Sequence, residues 1–161
     1  MIMISSEAVN ETGRLAEGFL KEFFTKAGRD VKLESNWDEE GNSLIISVSG
    51  DDISDFIGKN GRVIDSLQYI TSLSVNKKCK DFVRILIDID GYREKRRQEL
   101  TRLALESAEL VKAEGEPVSL EPMNPYERRI IHMILQTDEG IKTESQGKEP
   151  DRFLVIMPAD Q

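Results

Sequence analysis

Two glycines three positions apart, Gly58 and Gly61, enclose Lys59 and Asn60 and are followed directly by Arg62. Because glycine has no Cβ atom, a loop with a glycine at each end lets another backbone approach closely. The amides at the start of the helix that follows are expected to point outward and to favour anions. Lys59 and Arg62 would place cations beside a passing sugar-phosphate chain. Gly-x-x-Gly is common, however, and on its own it most often marks a simple turn.

A second candidate site consists of Arg128 and His132, which lie four positions apart and therefore share one face of a helix. Arginine can hold a phosphate through its planar guanidinium, and histidine can do so through a ring N–H. The alternative is structural, because a lone histidine in an amphipathic helix more often packs or caps than binds a ligand. The two residue types alone favour the structural alternative.

The composition gives little support to a catalytic or metal-binding class. The chain has one cysteine, Cys79, and one histidine, which excludes an intramolecular disulfide, a Cys-Cys metal knuckle and a histidine-clustered metal site. The paired carboxylates Asp51-Asp52 are typical of a helix cap. We therefore expect no enzymatic activity, no cofactor and no metal, with a nuclease built on scattered acidic residues as a minor alternative.

The charge of the chain is unevenly distributed. The net charge of the 161 residues is −8, which argues against nucleic acid as a partner when it is taken as a whole. Residues 57–103 nevertheless hold 11 basic and 6 acidic residues, whereas the segments before and after hold 12 acidic residues each. Distant acids are screened over about 8 Å at physiological salt, so the middle third could bind phosphates locally. A solvated surface of mixed charge is the alternative, and charge alone favours it.

Hydrophobic periodicity predicts a first α+β unit that ends near Asp90. An amphipathic helix is predicted over residues 7–27, and strands are predicted over 31–37, 43–49 and 82–89. Asp51 or Asp52 is expected to cap a short helix, and a longer helix follows Gly61. The predicted order is helix, strand, strand, helix, helix, strand.

A second α+β unit is predicted for the remainder of the chain. Asp90-Gly91 opens a long charged helix that ends near Glu114, because Gly115 and Pro117 follow. Residues 118–120 predict a short strand, and residues 141–146 and 152–157 predict a hairpin. Between them, Asn124 is expected to cap a helix that runs to about Gln136, with Pro125 at its first position and Glu127 three residues after the cap.

The two candidate sites, placed on these elements, resemble known domains. Ile57-Gly58-Lys59-Asn60-Gly61-Arg62-Val63-Ile64 resembles the loop of a KH domain of the bacterial (type II) topology, and such loops clamp about four nucleotides of single-stranded RNA or DNA. The Arg128–His132 pair, with Pro125 before it and Arg152 after it, resembles the R-three-H domain, a small binder of single-stranded nucleic acid. A KH domain joined by a long helix to an R-three-H domain is similar to the Jag family, also called KhpB or SpoIIIJ-associated protein.

The resemblance implies a non-catalytic protein of two α+β domains, at residues 1–90 and 91–161, that binds single-stranded RNA, with single-stranded DNA as a further candidate ligand. It implies RNA contacts from Gly58, Lys59, Asn60, Gly61, Arg62, Arg128, His132 and Arg152. It also implies post-transcriptional regulation linked to cell shape, envelope growth and division, and either a homodimer or a complex with a small stand-alone KH protein. Many members of the family begin with an additional N-terminal Jag domain, to which nothing in this sequence corresponds.

Other interpretations stay open at this point. One is a protein-interaction adaptor built on a KH fold that no longer binds nucleic acid. The basic run from Arg93 to Arg102 is either a bridge for the nucleic-acid strand or a helix face balanced by acids. The sequence has no signal-peptide pattern, and no segment approaches the roughly 18 apolar residues of a membrane span. We therefore expect a cytoplasmic protein without membrane insertion.

Overall fold

Residues 4–159 are described in a computed structural model of the chain. The chain divides into two compact units, Met1–Arg93 and Glu94–Gln161. Each unit combines helices with a small sheet, so the predicted α+β class is confirmed. No helix within residues 4–159 is both long enough and apolar enough to cross a membrane.

The first unit contains the helices and strands in the predicted order. Its elements are α1 (Ser6–Lys26), β1 (Lys32–Asp38), β2 (Ser43–Ser49), α2 (Arg62–Asn76) and β3 (Ile85–Ile89). Between β2 and α2 the chain forms 3₁₀ turns at Ser54–Phe56 and Lys59–Gly61. The sheet order is β1-β2-β3, with β1 antiparallel and β3 parallel to the central strand β2.

The register of β2 against β3 builds the core of the first unit. Leu44 pairs with Ile85, Ile46 with Ile87 and Val48 with Ile89, and all six side chains are buried. Because side chains alternate between the faces of a strand, this register places both apolar sets on one face of the sheet. The helices cover that face with a further set of buried side chains, Ala16, Leu20, Phe24, Ile64, Leu67 and Val75.

The second unit is built around one long helix and one short helix. The elements after β3 are α3 (Tyr92–Glu114), β4 (Val118–Ser119), α4 (Pro125–Leu135), β5 (Ile141–Gln146) and β6 (Phe153–Pro158). The sheet order is β4-β6-β5, and both pairings are antiparallel. Asn124 caps α4 as predicted, because its side-chain oxygen accepts a hydrogen bond from the Glu127 amide at 2.9 Å.

The predicted helix cap at Asp51 or Asp52 and the predicted start of the third strand are both wrong. Neither Asp51 nor Asp52 caps a helix: the residue before the 3₁₀ turn is Ile53, it makes no side-chain capping bond, and Asp52 adopts a left-handed φ of 54°. The strand predicted from residue 82 begins at Ile85. The Asn76 side chain bonds both the amide and the carbonyl of Val83, at 2.9 and 3.0 Å, so these groups are bonded to a side chain rather than to the sheet.

Candidate nucleic-acid interface

The Gly58–Gly61 loop has the backbone geometry that requires its two glycines. Their φ angles are 70° and 75°, in the left-handed region that side chains with a Cβ rarely adopt. A Cβ on Gly58 would collide with the Val63 side chain, and a Cβ on Gly61 would lie 2.9 Å from the Tyr92 ring. Both ends of the loop are therefore packed against other parts of the first unit, while Lys59 and Arg62 are exposed.

The amides at the start of α2 are not directed outward, and this prediction is wrong. The Gly61 amide donates to the Gly58 carbonyl at 3.2 Å, and the Arg62 amide donates to the Lys59 carbonyl. The next two amides, of Val63 and Ile64, both donate to the Ile57 carbonyl, at 3.1 and 3.2 Å. The backbone therefore satisfies the N-terminus of α2 itself, and an anion at this loop would depend on side chains.

Arg93, near the start of α3, forms several hydrogen bonds within the first unit. The Arg93 guanidinium donates to the Ile87 carbonyl at 2.7 Å, to Gln68 Oε1 at 2.9 Å and to Asp65 Oδ1 at 3.3 Å. Gln68 Oε1 also accepts from the Ile87 amide at 2.9 Å. These side chains bond both backbone groups of Ile87, so Arg93, the last residue of the first unit, is held against α2 and β3.

The basic run that follows on α3 is largely paired with acids. Arg97 forms two hydrogen bonds with Glu94, at 2.8 and 2.9 Å, and Arg102 lies 4.0 Å from Glu106. Arg96 donates to the buried Glu127 at 2.6 Å. This pairing supports the interpretation of the run as a helix face balanced by acids rather than as a bridge for a nucleic-acid strand.

The second unit contains a pocket of about 460 Å³ that includes every site residue predicted in this half of the chain. Helix α4 and strands β5 and β6 surround it. Its lining residues are Pro125, Arg128, Arg129, His132, Thr143, Glu144, Ser145, Arg152 and Leu154. A larger cleft of about 630 Å³ lies in the first unit between residues 28–32 and 49–52. It contains no predicted site residue, so the smaller pocket is the candidate site.

Arg128 is a buried structural residue as well as a lining residue of the pocket. It is only 6% exposed, and its guanidinium donates to the Met123 carbonyl at 2.5 Å, to Glu149 Oε1 at 2.6 Å and to the Arg152 carbonyl at 3.4 Å. Arg128 and His132 therefore do not share an exposed face, because Arg128 turns inward to bond the segments on either side of α4.

Arg129 is an exposed arginine of this pocket that was not among the site residues predicted from the sequence. Arg129 is exposed and lines the pocket, whereas Glu127, Arg128 and Ile131 form the buried side of α4. The sequence signal that could have identified Arg129 is its position around α4 relative to the apolar residues. The core-facing Ile131 places Arg129, two positions earlier, on the opposite side.

His132 is exposed at the edge of the pocket and is fixed by a neighbouring strand. Its Nδ1 lies 2.6 Å from Thr143 Oγ1 on β5. Because one ring nitrogen is engaged by the hydroxyl, the other is the nitrogen that can serve a ligand. The structure therefore places His132 in the lining of the pocket.

Arg152 completes the basic lining from the residue before β6. It is half-buried, and its Nε is buried with no hydrogen-bond partner in the described part of the chain. Its carbonyl accepts from the Met123 amide at 3.2 Å, which fixes the backbone at this position. The side chain thus has an unsatisfied donor beside the pocket, and unsatisfied buried donors are rare in proteins.

The side chains that line the pocket are suited to binding an anion. Arginine guanidinium groups match phosphate oxygens with paired donors, and Ser145 and Thr143 add hydroxyls. Glu144 lines the same pocket and opposes the positive charge. Within residues 4–159, no group of three or more His, Cys, Asp or Glu side chains is placed to hold a metal ion.

Comparisons with known proteins match a different domain family to each unit of the chain. The family described as "KhpA/KhpB, KH domain" matches residues 14–87, and the R-three-H domain family matches residues 98–158. The protein named RNA-binding protein KhpB from Clostridium symbiosum is 44% identical over 138 residues, which are 86% of this chain and 62% of that protein.

More distant relatives carry the same name. RNA-binding protein KhpB of Bacillus subtilis (strain 168) is 34% identical over 73% of this chain and 58% of its own length. The protein of that name from Lactiplantibacillus plantarum is 39% identical over 62% of this chain and 31% of its own length. The chain therefore spans less than two thirds of the length of these relatives. The order of the two domains and the identity over most of the chain show that this protein belongs to the KhpB (Jag) family, in which a KhpA/KhpB KH domain is followed by an R-three-H domain.

Proposed function

We propose that this protein binds single-stranded RNA and performs no chemistry on it. The observation that carries the proposal is the pocket of the R-three-H domain, where Arg129, His132 and Arg152 converge although the net charge of the chain is −8. Such a local concentration of guanidinium groups is the chemistry of a phosphate site. Single-stranded DNA shares the phosphate backbone and is the competitor to test.

The KH loop supplies the second contact in this proposal. The strand crosses Gly58–Gly61, with phosphates held by the exposed side chains of Lys59 and Arg62 and with Asn60 at the tip of the loop. Support comes from the left-handed geometry of both glycines and from the KH-domain match. Each domain, residues 1–90 and 91–161, then contributes one binding site.

A second function is favoured by an apolar face that α2 leaves exposed. Val63, Tyr69, Ile70 and Leu73 are 42–69% exposed, and Val63, Ile70 and Leu73 recur at the spacing of one helix face. Exposed apolar side chains that lie together mark interaction surfaces. We propose that this face carries self-association or association with a small stand-alone KH protein. A protein-interaction adaptor that binds no RNA is the alternative function.

The cellular role that fits this activity is post-transcriptional regulation in the cytoplasm, with links to cell shape, envelope growth and division. The name RNA-binding protein, which the relatives carry, supports the RNA binding on which such regulation would depend. The physiological links rest on the family resemblance.

The two proposed sites can be tested separately by fluorescence anisotropy with a labelled single-stranded RNA of about 20 nucleotides, which exceeds the roughly four nucleotides that one KH domain clamps. Lys59→Asp with Asn60→Asp alters the loop, and Arg129→Ala with Arg152→Ala alters the pocket. We expect each pair to weaken binding by about tenfold or more, since contacts of charged groups contribute roughly 1.5–3 kcal/mol.

The matched control for the loop is Lys32→Asp with Asn36→Asp, which makes the same change of residue types and charge on the exposed side of β1. Arg102→Ala, with a side chain 74% exposed on α3, controls for the loss of an arginine. Wild-type affinity in both site variants would refute the proposed sites. Equal losses in the controls would indicate a nonspecific response to charge.

A further inference from the structure

The R-three-H domain exposes two large apolar side chains next to its basic pocket. Tyr126 is 67% exposed and Met133 is 52% exposed, and both belong to α4. They lie seven positions apart, which places them on the same side of the helix, two turns from each other. Their surface is here called the ledge.

The ledge and the pocket meet at Arg129. Arg129 is three positions after Tyr126 and four before Met133, so it lies between them on the helix surface. Arg129 also lines the pocket, as does Pro125, the neighbour of Tyr126. A strand with a phosphate at Arg129 would therefore have its attached nucleotide beside the ledge.

We infer that the ledge is a base-stacking platform, on which Tyr126 stacks a nucleobase of the strand whose phosphate lies in the pocket. The inference rests on the proposed RNA binding and adds a base contact to it. A tyrosine ring offers a flat apolar face, and stacking on aromatic side chains is how single-stranded nucleic acids are held without reading their sequence. The guanidinium of Arg129 beside the ring suits the phosphate of the same nucleotide.

The ledge favours a nucleotide over a protein partner because of its size and its neighbours. It consists of one ring and one thioether chain bordered by a basic pocket. A stable protein interface needs roughly 800 Å² from each partner, whereas a single base needs only one ring face. The expected sequence preference is weak, since every base has a π-face.

The test compares two ligands of equal length, a single-stranded RNA and a strand of the same phosphodiester backbone without bases. Tyr126→Ala is expected to weaken binding of the RNA by about 5- to 150-fold and to leave binding of the abasic strand within about twofold. Tyr126→Phe and Tyr126→Trp should retain the RNA affinity because they keep the ring. Arg129→Ala should weaken both ligands.

Leu105→Ala is the control, since Leu105 is a 51% exposed apolar residue of the same domain outside the ledge. Far-ultraviolet circular dichroism checks that each variant is folded. An RNA affinity unchanged by Tyr126→Ala, or an equal loss on the abasic strand, would overturn the stacking role while leaving RNA binding intact. Absence of RNA binding by the wild-type protein would instead overturn the proposed function together with the platform.

Discussion

The guanidinium of Arg128 donates to the carboxylate of Glu149 at 2.6 Å, although these residues lie 21 positions apart and differ widely in exposure. The arginine side chain is 7% exposed and the glutamate side chain is 51% exposed. Together with the bond to the Met123 carbonyl, this ion pair connects α4 to the segment between β5 and β6. The arginine of the family motif is thus part of the scaffold of the pocket.

Arg128→Ala is accordingly expected to destabilise the R-three-H domain by about 2 kcal/mol. This is below the roughly 3–5 kcal/mol for breaking a fully buried pair, because Glu149 is half exposed and can be solvated. Urea unfolding followed by circular dichroism measures the change. Arg129→Ala is the control and should leave the midpoint near that of the wild type. An unchanged midpoint in Arg128→Ala would show that the ion pair contributes nothing to folding.

Removing the negative charge that lines the pocket should strengthen RNA binding. Glu144→Gln keeps the size of the exposed side chain and removes its repulsion of phosphate, which amounts to about 1 kcal/mol for unit charges near 4 Å in water. We expect a gain of about two- to fivefold at low salt that shrinks as salt rises. Anisotropy titrations at two salt concentrations measure it, with Glu139→Gln as the control outside the pocket. A gain in both variants would mean that net charge alone sets the affinity.

Gly61→Ala should cost more stability than Gly28→Ala, although both residues have φ near 70°. At Gly28 the added Cβ meets no atom within 4 Å, so only the left-handed backbone conformation is penalised, by about 1 kcal/mol. At Gly61 the Cβ also meets the Tyr92 ring at 2.9 Å. We expect an additional loss of about 1–3 kcal/mol, in line with overpacking, measured by denaturant unfolding. Equal losses would show that the ring moves away freely.

The acid stability of the R-three-H domain should depend on Asp138. A hydrogen bond from Lys112 holds the pKa of the Asp138 carboxyl below its ordinary value of 3.8, with a smaller effect of the Gly140 amide. A lowered folded-state pKa gives stability that is present above pH 3.8 and is lost as the pH falls through the folded-state pKa. Asp138→Asn should therefore lower the urea midpoint at pH 5 more than at pH 3. An identical loss at both values would contradict this coupling.

Local signals in the sequence predicted much of the fold because they act within a few residues. Asn124-Pro125 with Glu127 predicted the start of α4 because a cap, a preset φ and a satisfied amide are local events. The two glycines of the KH loop likewise predicted a loop, because a residue without a Cβ readily adopts the left-handed φ angles observed there. The predicted strand start at Phe82 was wrong because of a contact with another element. The Asn76 side chain of α2 bonds the amide and the carbonyl of Val83, so these groups do not pair in the sheet.

The candidate site was predicted less completely, and the reason is the position of its partners. Two adjacent arginines, Arg128 and Arg129, cannot be assigned to core and surface without the segment that contributes Glu149. In the KH loop, the Ile57 carbonyl accepts hydrogen bonds from the amides of Val63 and Ile64. The motif alone does not show that these amides are already bonded. The motifs therefore pointed to the segments that form both candidate sites, whereas packing decides which of their groups are exposed.

The central claim is most directly tested by an equilibrium titration of the wild-type protein with labelled mixed-sequence single-stranded RNA of about 20 nucleotides at several salt concentrations. The account predicts a Kd in the micromolar range or tighter at about 50 mM salt, with the logarithm of the affinity falling against the logarithm of salt by about 0.7 per phosphate contact. Absence of binding at low salt would contradict the proposed RNA binding and leave protein partners as the ligands of both domains. An affinity that does not respond to salt would contradict the proposed phosphate contacts.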